Sequence, residues 1–338
     1  MDMLQWKMDV IQNPVKKGIP VLSYPVTSLM GVSVKELISS SDALAKGMKI
    51  LSDRLPSLAA LSMMDLTVET ECFGAEVELY ENAIPCVTNE IVHSMEDAEN
   101  LSVPKVGEGR TQIYIDAIRK AKELITDRPV FAGIIGPYTL AGRLLGMSQL
   151  MTASVTKPDM VKIVLEKATE FIIEYAKAYK EAGADGFVMA EPTTGLISPR
   201  LARKISHPYT KAVIDAVQDR EYIVIYHNCG ESVIKMTEDL AALGAEGYHF
   251  GNCINMEDIL PLMPADRLIM GNVAPAEYFG MDAPEEAVSA KTRSILETCD
   301  RWPNFVISSG CDMPPECSWS CIDAFFRTIG DFYNEKTR

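Results

Sequence analysis

Residues 157–191 read KPDMVKIVLEKATEFIIEYAKAYKEAGADGFVMAE, and this stretch contains the unit from which the whole fold is built. Apolar residues recur at helical spacing from Lys157 to Ala182, which predicts an amphipathic helix. The Gly183 that follows is typical of a helix end. The next run, Gly186–Ala190, is short and apolar, as in a strand that is buried on both faces. A helix followed by a buried strand is typical of an α/β fold with a parallel sheet.

The same alternation recurs along the chain, and we predict eight buried strands with helices between them. The predicted strands are Ile19–Tyr24, Leu61–Thr67, Val130–Ile135, Gly186–Ala190, Tyr222–Tyr226, Gly247–Phe250, Arg267–Gly271 and Asn304–Ser308. A second clear helix is predicted at Ser232–Leu243, where Gly244 ends it. Eight strands alternating with helices predict an α/β fold, namely a single (β/α)8 TIM barrel. The active site of such a barrel lies at the carboxyl ends of the strands. We expect residues 1–338 to form one domain.

One insertion and one rival architecture complete the fold prediction. The segment Glu76–Val92 alternates apolar and polar residues and predicts a β-hairpin inserted after the second strand. The rival is a doubly wound open sheet, but no Gly-x-Gly-x-x-Gly turn follows an early strand. The barrel is therefore favoured.

The composition of the chain argues against nucleic acids and membranes as partners. The chain has 32 basic and 47 acidic residues and a formal net charge of −15, which argues against a nucleic-acid partner. No apolar run approaches the roughly 20 residues that span a bilayer, and the first residues lack the apolar core of a signal peptide. We therefore expect a cytoplasmic protein with no membrane partner. In that reducing compartment, the eight cysteines are expected to be free thiols or metal ligands.

Two predicted strands end in side chains that bind metals. His227 and Cys229 directly follow the fifth predicted strand, and Cys311 follows the eighth. Residues i and i+2 of an extended chain point to the same side, so His227 and Cys229 can bind one ion, and the barrel brings Cys311 to it. Two thiolates and one imidazole suit Zn²⁺. Three protein ligands leave one coordination position for a substrate, as in catalytic zinc sites.

Two alternatives to a catalytic zinc stay open. Buried cysteines often serve as small apolar residues, and a histidine at a strand end is often a hydrogen-bonded structural residue. A fourth ligand such as Cys253 or an acidic side chain would instead close the site, as in structural zinc sites. The chain would then be a non-catalytic zinc-stabilised barrel.

Carboxylates also follow predicted strands. Asp65 lies near the end of the second predicted strand and Glu191 follows the fourth, and partial burial there would raise a carboxyl pKa toward neutrality. Asp65 and Glu191 are therefore predicted to be catalytic acid–base residues, with Glu69 a weaker candidate. Capping of a helix, or pairing with an arginine such as Arg200, is the alternative. Because Pro192 prevents a helix from starting at once, we expect the Glu191 carboxylate to project into the barrel mouth.

Further polar residues lie at other strand ends. His249 lies in the sixth predicted strand and Asn252 follows it, Asn272 directly follows the seventh, and Tyr24 ends the first. Each can donate or accept hydrogen bonds at the barrel mouth, so we predict that these four residues bind substrate. Hydrogen bonding within the loops is the alternative.

Five motifs together resemble a known family. They are MDLTVE (64–69) with CFG (72–74), GPYTLA (136–141), EP (191–192) with LISP (196–199), HNCG (227–230), and CDMP (311–314). In this order and spacing they resemble the uroporphyrinogen decarboxylase superfamily from about Ile19 to Phe332. Within that superfamily, the His-x-Cys…Cys set is similar to the zinc-dependent corrinoid methyltransferase branch, which includes methylcobamide:coenzyme M methyltransferases.

The resemblance implies a function. It implies that His227, Cys229 and Cys311 hold zinc, and that a partner protein carries a corrinoid (cobalamin-type) cofactor. It also implies a methyltransferase of one-carbon metabolism that moves a methyl group between this corrinoid and a small thiol, or a small methyl donor such as a methoxyl or methylamine compound.

Uroporphyrinogen decarboxylation is the alternative activity within the superfamily. Its substrate bears eight carboxylates, and the decarboxylases bind them with arginines that follow the first strand. Here residues 22–31 read LSYPVTSLMG, and the first arginine of the chain is Arg54. The charge of this region therefore disfavours decarboxylation.

Overall fold

A curled parallel sheet of seven strands lies at the centre of the protein, as described over residues 1–337 by a computed structural model. In chain order the strands are β1 (Ala60–Leu61), β2 (Val77–Glu78), β3 (Cys86–Val87), β4 (Val130–Ile135), β5 (Gly186–Ala190), β6 (Ile223–Asn228), β7 (Gly247–Phe250), β8 (Leu268–Val273) and β9 (Phe305–Ser309). The parallel sheet has the order β1-β4-β5-β6-β7-β8-β9, while β2 and β3 form a separate antiparallel pair. Neighbours in the sheet are also neighbours along the chain, as the predicted βα alternation requires.

Helices cover the outer face of the sheet, and the larger apolar cluster fills the space between the two layers. They are α1 (Met3–Gln12), α2 (Val26–Met30), α3 (Val34–Ile38), α4 (Ser41–Arg54), α5 (Val68–Cys72), α6 (Met95–Asn100), α7 (Thr111–Leu124), α8 (Pro137–Leu145), α9 (Met147–Thr156), α10 (Pro158–Glu181), α11 (Pro199–Ile205), α12 (His207–Val217), α13 (Thr237–Leu243), α14 (Met256–Ile259), α15 (Pro275–Tyr278), α16 (Glu285–Cys299) and α17 (Trp319–Lys336). Short 3₁₀ helices lie at Pro192–Leu196, Glu231–Lys235 and Leu260–Leu262. Within residues 1–337, no helix combines the length and the apolar character that crossing a membrane requires.

The first predicted strand, Ile19–Tyr24, does not form. Pro20 has no N–H to donate, and the N–H of Val21 donates to the side-chain oxygen of Ser309 (2.9 Å) instead of to a backbone carbonyl. A ladder of backbone hydrogen bonds therefore cannot form along this segment.

Residues 18–21 nevertheless lie between the two edges of the curled sheet. The N–H of Ile19 donates to the carbonyl of Ile307 in β9 (3.0 Å). On the other side, the N–H of Leu58, which directly precedes β1, donates to the carbonyl of Gly18 (2.9 Å). A single extended segment thus contacts both edges.

The second predicted strand, Leu61–Thr67, is longer than the strand that forms. Its sheet pairing is confined to β1, because the chain turns at Asp65. Oδ1 of Asp65 accepts a hydrogen bond from the N–H of Thr67 (3.0 Å), a side-chain turn that competes with strand pairing.

The other predicted elements form with small shifts. β4, β5 and β7 have the predicted bounds, and β6, β8 and β9 begin one residue later and end one or two residues later than predicted. The long predicted helix is α10. The helix predicted at Ser232–Leu243 is instead divided into a 3₁₀ turn and α13. Within the segment predicted as a hairpin, β2 and β3 pair with Val77 opposite Val87.

A separate apolar cluster fills the inside of the curled sheet. Alternate residues of each strand point inward, and α1 contributes from the amino ends of the strands. The buried members are Met3, Val10, Ile11, Ile19, Val21, Ala59, Leu61, Phe131, Val188, Ile223, Ile225, Leu268, Met270 and Val306. Continuing two residues along β6, β8 and β9 reaches His227, Asn272 and Ser308. The inner face therefore changes from apolar to polar toward the carboxyl ends.

Charge pairing holds α1 at the amino ends of the strands. Nζ of Lys7 lies 2.5 Å from Oε2 of Glu246, and the two side chains are only 6% and 12% exposed. The guanidinium of Arg267 lies 3.5 Å from the same carboxylate oxygen. The carboxylate of Glu246 is therefore the counter-charge of Lys7, whereas Arg267 also pairs with Asp266 (2.5 Å).

We expect Glu246→Gln to lower the free energy of unfolding by about 3 kcal/mol, because it leaves the buried ammonium of Lys7 without a counter-charge. The matched control is Lys49→Gln, which breaks an exposed ion pair with Asp53 and should change the free energy by less than about 1 kcal/mol. Urea unfolding followed by circular dichroism measures both. Equal unfolding midpoints for the two variants would contradict the assignment.

Candidate metal centre

The three predicted metal ligands meet at the carboxyl ends of β6 and β9. The donor atoms of His227, Cys229 and Cys311 all lie within 4.8 Å of one another. Nε2 of His227 lies 4.0 Å from Sγ of Cys311. A tetrahedral zinc with bonds of about 2.0–2.3 Å holds its ligands roughly 3.5 Å apart, so small rotations of these side chains accommodate the ion.

The sulfur atoms of the two thiols lie within 4.8 Å of each other. Their interaction lowers the pKa of Cys229 to about 7 and raises that of Cys311 to about 12. The pair therefore tends to hold one proton between two sulfurs. Loss of that proton gives a dithiolate, the form in which thiols in general bind metal ions.

Behind His227, a chain of hydrogen bonds leads away from the thiols. Nδ1 of His227 lies 2.7 Å from Nδ1 of His249, and Nε2 of His249 lies 2.8 Å from Oγ of Ser308. The hydroxyl of Ser308 donates in turn to the backbone carbonyl of Ile19 (2.8 Å). His249 is fully buried, and burial together with the neighbouring His227 holds its pKa well below the usual value, so its ring is neutral.

This chain determines which nitrogen of His227 carries the proton. The Ile19 carbonyl can only accept, so Ser308 donates to it and accepts the Nε2 proton of His249. A neutral His249 then has a bare Nδ1, which must accept the Nδ1 proton of His227. The Nε2 atom of His227 is left with its lone pair directed toward the thiols, as a metal ligand requires.

Cys253 does not complete a fourth ligand position. Its thiol donates to the backbone carbonyl of Cys229 (2.9 Å) and is exposed. Among residues 1–337, no other His, Cys, Asp or Glu joins the three ligands at similar distances. The site therefore offers three protein donors and one open side.

The prediction that Glu191 projects into the barrel mouth and caps no helix is wrong. Its carboxylate is fully buried and accepts hydrogen bonds from the N–H groups of Tyr138 (3.0 Å) and Thr139 (2.7 Å) at the start of α8, and from the Thr139 hydroxyl. Burial raises the pKa of Glu191 to about 7, against the effect of these donors. The carboxylate therefore anchors α8 to the end of β5.

The backbone of Glu191 also positions the strand that carries two ligands. Its N–H donates to the carbonyl of His227 (2.9 Å), and its own carbonyl accepts from the side chain of Asn228 (2.7 Å). Oδ1 of Asn228 accepts from the N–H of Gly230 (2.9 Å). A Cβ on Gly195 would lie 2.5 Å from that Oδ1 atom, which explains why glycine occupies this position. Sequence reasoning missed the role of Asn228, although it lies within the His-Asn-Cys motif.

Asp65 belongs to a buried ion-pair network. Its side chain is fully buried, pairs with the guanidinium of Arg110 and accepts from the hydroxyl of Tyr114 (3.0 Å). Arg110 also bonds to Glu71 (2.6 Å) and Thr67 (2.7 Å). Asp65 is therefore paired with an arginine, Arg110, as the alternative interpretation expected. A catalytic role for Asp65 stays a prediction.

The residues predicted to bind substrate are distributed around the metal centre. His249 lies behind His227, whereas Asn252 is exposed and packs against Gly310, next to Cys311. The side chain of Asn272 is buried and donates to the carbonyl of Gly251 (2.9 Å).

Tyr24, the fourth of these residues, is also buried. Its hydroxyl has no hydrogen-bond partner within residues 1–337. Burial and the nearby Asp65 and Asp312 raise its pKa well above the usual value. Substrate binding by Tyr24 and the other three residues stays a prediction.

Asp312 is a second residue that sequence reasoning missed. It directly follows Cys311, and its carboxyl oxygens lie 3.3 and 3.4 Å from the hydroxyl of Ser23. Burial, with the nearby Cys311, raises its pKa well above the usual value. Its place in the CDMP motif was the available signal.

We expect Ser308→Ala to weaken zinc binding by about 10- to 100-fold, because the Nε2 proton of His249 loses its acceptor and the tautomer of His227 is no longer fixed. Thr169→Val is the matched control, since it removes a buried hydroxyl that bonds only within α10. Competition with a chromogenic chelator measures zinc affinity. Unchanged affinity in Ser308→Ala would show that the hydrogen-bond chain does not orient His227.

We expect Glu69→Gln to change how stability depends on pH. Glu69 is buried, only its Oε1 atom has a donor, and burial raises its pKa from 4.5 to about 7. The folded state therefore binds a proton that the unfolded state releases, so this group contributes stability below pH 4.5 that is lost as pH rises to about 7.

Urea midpoints measured between pH 4 and 8 test this expectation, and Glu69→Gln should remove part of the decline. Glu174→Gln on the exposed face of α10 is the control and should leave the pH profile unchanged. A Glu69→Gln profile parallel to that of the parent protein would exclude the effect.

Comparison with known proteins shows which family and which enzymes this chain is similar to. Residues 22–332 match the family model "Uroporphyrinogen decarboxylase (URO-D)". The methylcobamide:CoM methyltransferase MtbA of Methanosarcina acetivorans is 27% identical over 239 residues, which are 68% of each chain. MtaA of Methanosarcina barkeri, with the same enzyme name, is 26% identical over 94% of this chain and 96% of its own.

A solved structure is similar over the whole chain. It is described as a methyltransferase from Methanosarcina mazei, with a TM-score of 0.85, 25% identity, and coverage of 98% of this chain and 99% of that one. The family match spans all the strands of the curled sheet and all three ligands of the metal centre. The chain therefore belongs to the uroporphyrinogen decarboxylase family.

Proposed function

We propose that this protein is a zinc-dependent methyltransferase that moves a methyl group from a methylated corrinoid, carried by a partner protein, to a small thiol. One observation carries the proposal: three donors of the types that zinc prefers converge at the strand ends and leave one side open. The names of the relatives, which specify methylcobamide and CoM, support the choice of donor and acceptor.

The residues of the site have separate tasks in this proposal. His227, Cys229 and Cys311 would hold the zinc, which when bound supplies Lewis acidity that keeps a substrate thiol ionised at neutral pH. His249 and Ser308 hold His227 in the tautomer that leaves Nε2 free to bind. His227 is buried and Cys311 is exposed. The fourth coordination position of the metal would therefore lie on the solvent side.

A closed structural zinc fits these residues less well. Cys253, the predicted fourth ligand, uses its thiol to donate to a backbone carbonyl. Structural zinc sites almost always have four protein ligands, whereas catalytic sites have three.

Decarboxylation of a polycarboxylate also fits less well. The first two arginines of the chain are both engaged, Arg54 with Asp323 and Arg110 with Asp65. Neither guanidinium is left to bind substrate carboxylates, as such an activity would require.

Exposed apolar side chains support a protein partner at the same face. Leu29, Ile84, Leu196 and Met281 are between 39% and 72% exposed, and each lies in a connection that leaves the carboxyl side of the sheet. Apolar residues exposed at the face that carries an active site can contribute to a docking surface. A corrinoid protein must approach this face to bring its cobalt near the thiol.

The architecture that we propose is a complete (β/α)8 ring in a single domain. Residues 18–21, which bond to both sheet edges, would take the place of the missing strand. Such a ring places its active site at the carboxyl ends, where the three ligands lie. We further propose that the protein acts in the cytoplasm, where reductants keep the ligand thiols reduced.

Methyl transfer from methylcobalamin to coenzyme M tests the proposal. We expect the purified zinc-loaded protein to catalyse it, and Cys311→Ser and His227→Ala to lose zinc and at least about 100-fold in rate, since a metal supplies several kcal/mol of stabilisation. Cys253→Ser is the matched control and should keep both zinc and activity. Absorbance of methylcobalamin measures the rate, and metal analysis measures zinc.

Two results would overturn the proposal. One is full zinc content and full rate in Cys311→Ser. The other is a zinc-loaded protein that transfers no methyl group to any small thiol when it is given a methylated corrinoid protein.

A further inference from the structure

A second cavity lies apart from the metal centre. It has a volume of about 600 Å³ and opens between the end of α9, the start of α10, and α11 with the start of α12. Cavities of roughly 300–1,000 Å³ are the size that holds small molecules and cofactors. None of its lining residues is a ligand of the metal centre or a member of the hydrogen-bond chain behind it.

The topology places this cavity at the edge of the carboxyl face. α10 ends just before the amino end of β5, so its first turn lies on the carboxyl side of the sheet. α11 follows the carboxyl end of β5 after one 3₁₀ turn. The cavity is therefore open to solvent on the side where barrel enzymes bind their ligands.

Cations without carboxylate partners face the cavity. Arg200 and Lys204 lie four residues apart on α11, and neither has a carboxylate within 4.0 Å among residues 1–337. Lys162 of α10 lines the opposite wall, and its carboxylate partner, Glu166, lies one helical turn away at 4.0 Å.

Arg203 lies on the same helix but does not line the cavity, and it is paired with a carboxylate. Its guanidinium bonds to both carboxylate oxygens of Asp239, at 2.7 and 2.8 Å. In a protein of net charge −15, carboxylates to pair with cations are abundant. The unpaired state of Arg200 and Lys204 on one wall of the cavity therefore favours a site for an anion there.

The rest of the lining is apolar with a few polar groups. Val155 is 70% exposed, and Pro158 and Pro208 add apolar surface beside the ring of Tyr209. Asp159 also lines the cavity and offers a carboxylate that can accept from hydroxyl groups.

We propose that this cavity binds a phosphate-bearing small molecule with a flat apolar ring, of the nucleotide class. The guanidinium of Arg200 suits the paired oxygens of a phosphate, and Lys204 and Lys162 add charge. The ring of the ligand packs against Tyr209 and the prolines, and Asp159 accepts from sugar hydroxyls. This site does not depend on the proposed methyl transfer.

Isothermal titration calorimetry at low salt with AMP, adenosine and inorganic phosphate tests the proposal. We expect AMP to bind more tightly than either of its parts, with a dissociation constant below about 1 mM. Arg200→Gln and Lys204→Gln should each weaken AMP binding about tenfold, because each removes a charge-assisted hydrogen bond. Arg203→Gln is the matched control and should bind AMP like the parent protein. Tyr209→Ala should weaken AMP binding more than phosphate binding.

Each contrary result overturns the proposal. Equal losses of AMP affinity in Arg203→Gln and Arg200→Gln would mean that AMP is attracted only by the overall positive charge of α11 and not by a specific site. Equal affinity for adenosine and AMP would show that the cavity does not recognise the phosphate. Equal affinity for phosphate and AMP would show that contacts with the ring do not contribute to binding. The zinc content and methyl-transfer rate of Arg200→Gln, which we expect to be unchanged, separate this test from that of the catalytic site.

Discussion

The hydrogen bond between His227 and His249 is the interaction on which the metal centre depends. It joins adjacent strands, because β6 and β7 pair with His227 opposite His249. The chain continues through Ser308 of β9 to the Ile19 carbonyl, so four parts of the inner wall determine one tautomer. Since a shift of one residue in strand register would turn every inward side chain outward, the register of β6 and β7 is also a requirement of the metal site.

The inner face of the sheet explains how a packed core and a reactive site share one interior. Toward the amino ends, Ile223 and Ile225 pack in an apolar cluster that α1 covers. His227 lies two residues further along the same face, where neutral polar side chains form a chain of hydrogen bonds with one another. Low polarity keeps His249 uncharged, and this neutrality makes its Nδ1 an acceptor. The apolar core thus sets the chemistry of the ligand that it surrounds.

Sequence reasoning succeeded where the signal is local and failed where the partner is distant. β4 and β5 are buried on both faces and read as continuous apolar runs, while β7 is a short buried run that only His249 interrupts, and the bounds of all three were predicted correctly. The ligand pair His227 and Cys229 depends only on two-residue spacing, and strand ends converge in any such sheet. By contrast, Ile19–Tyr24 has the composition of a strand, but Pro20 and the side chain of Ser309, far along the chain, prevent the ladder. Nothing near Glu191 in sequence shows that its donors lie 52 and 53 residues earlier, at the start of α8.

The fixed hydrogen bonds of the two predicted acid–base carboxylates favour chemistry on sulfur, while acid–base roles for Asp65 and Glu191 stay predictions. A carboxylate at a strand end is costly to bury, and here both predicted ones are compensated by fixed donors: Asp65 by Arg110 and Tyr114, and Glu191 by the start of α8. Moving a proton through either group would break bonds that hold a helix or a buried ion pair in place. The thiol of Cys311 is exposed, and its interaction with the thiol of Cys229 can be exchanged for a metal without disturbing a helix or a strand. Groups whose bonding the fold does not require are the ones that can change partners during a reaction, and at this face those groups are the thiols.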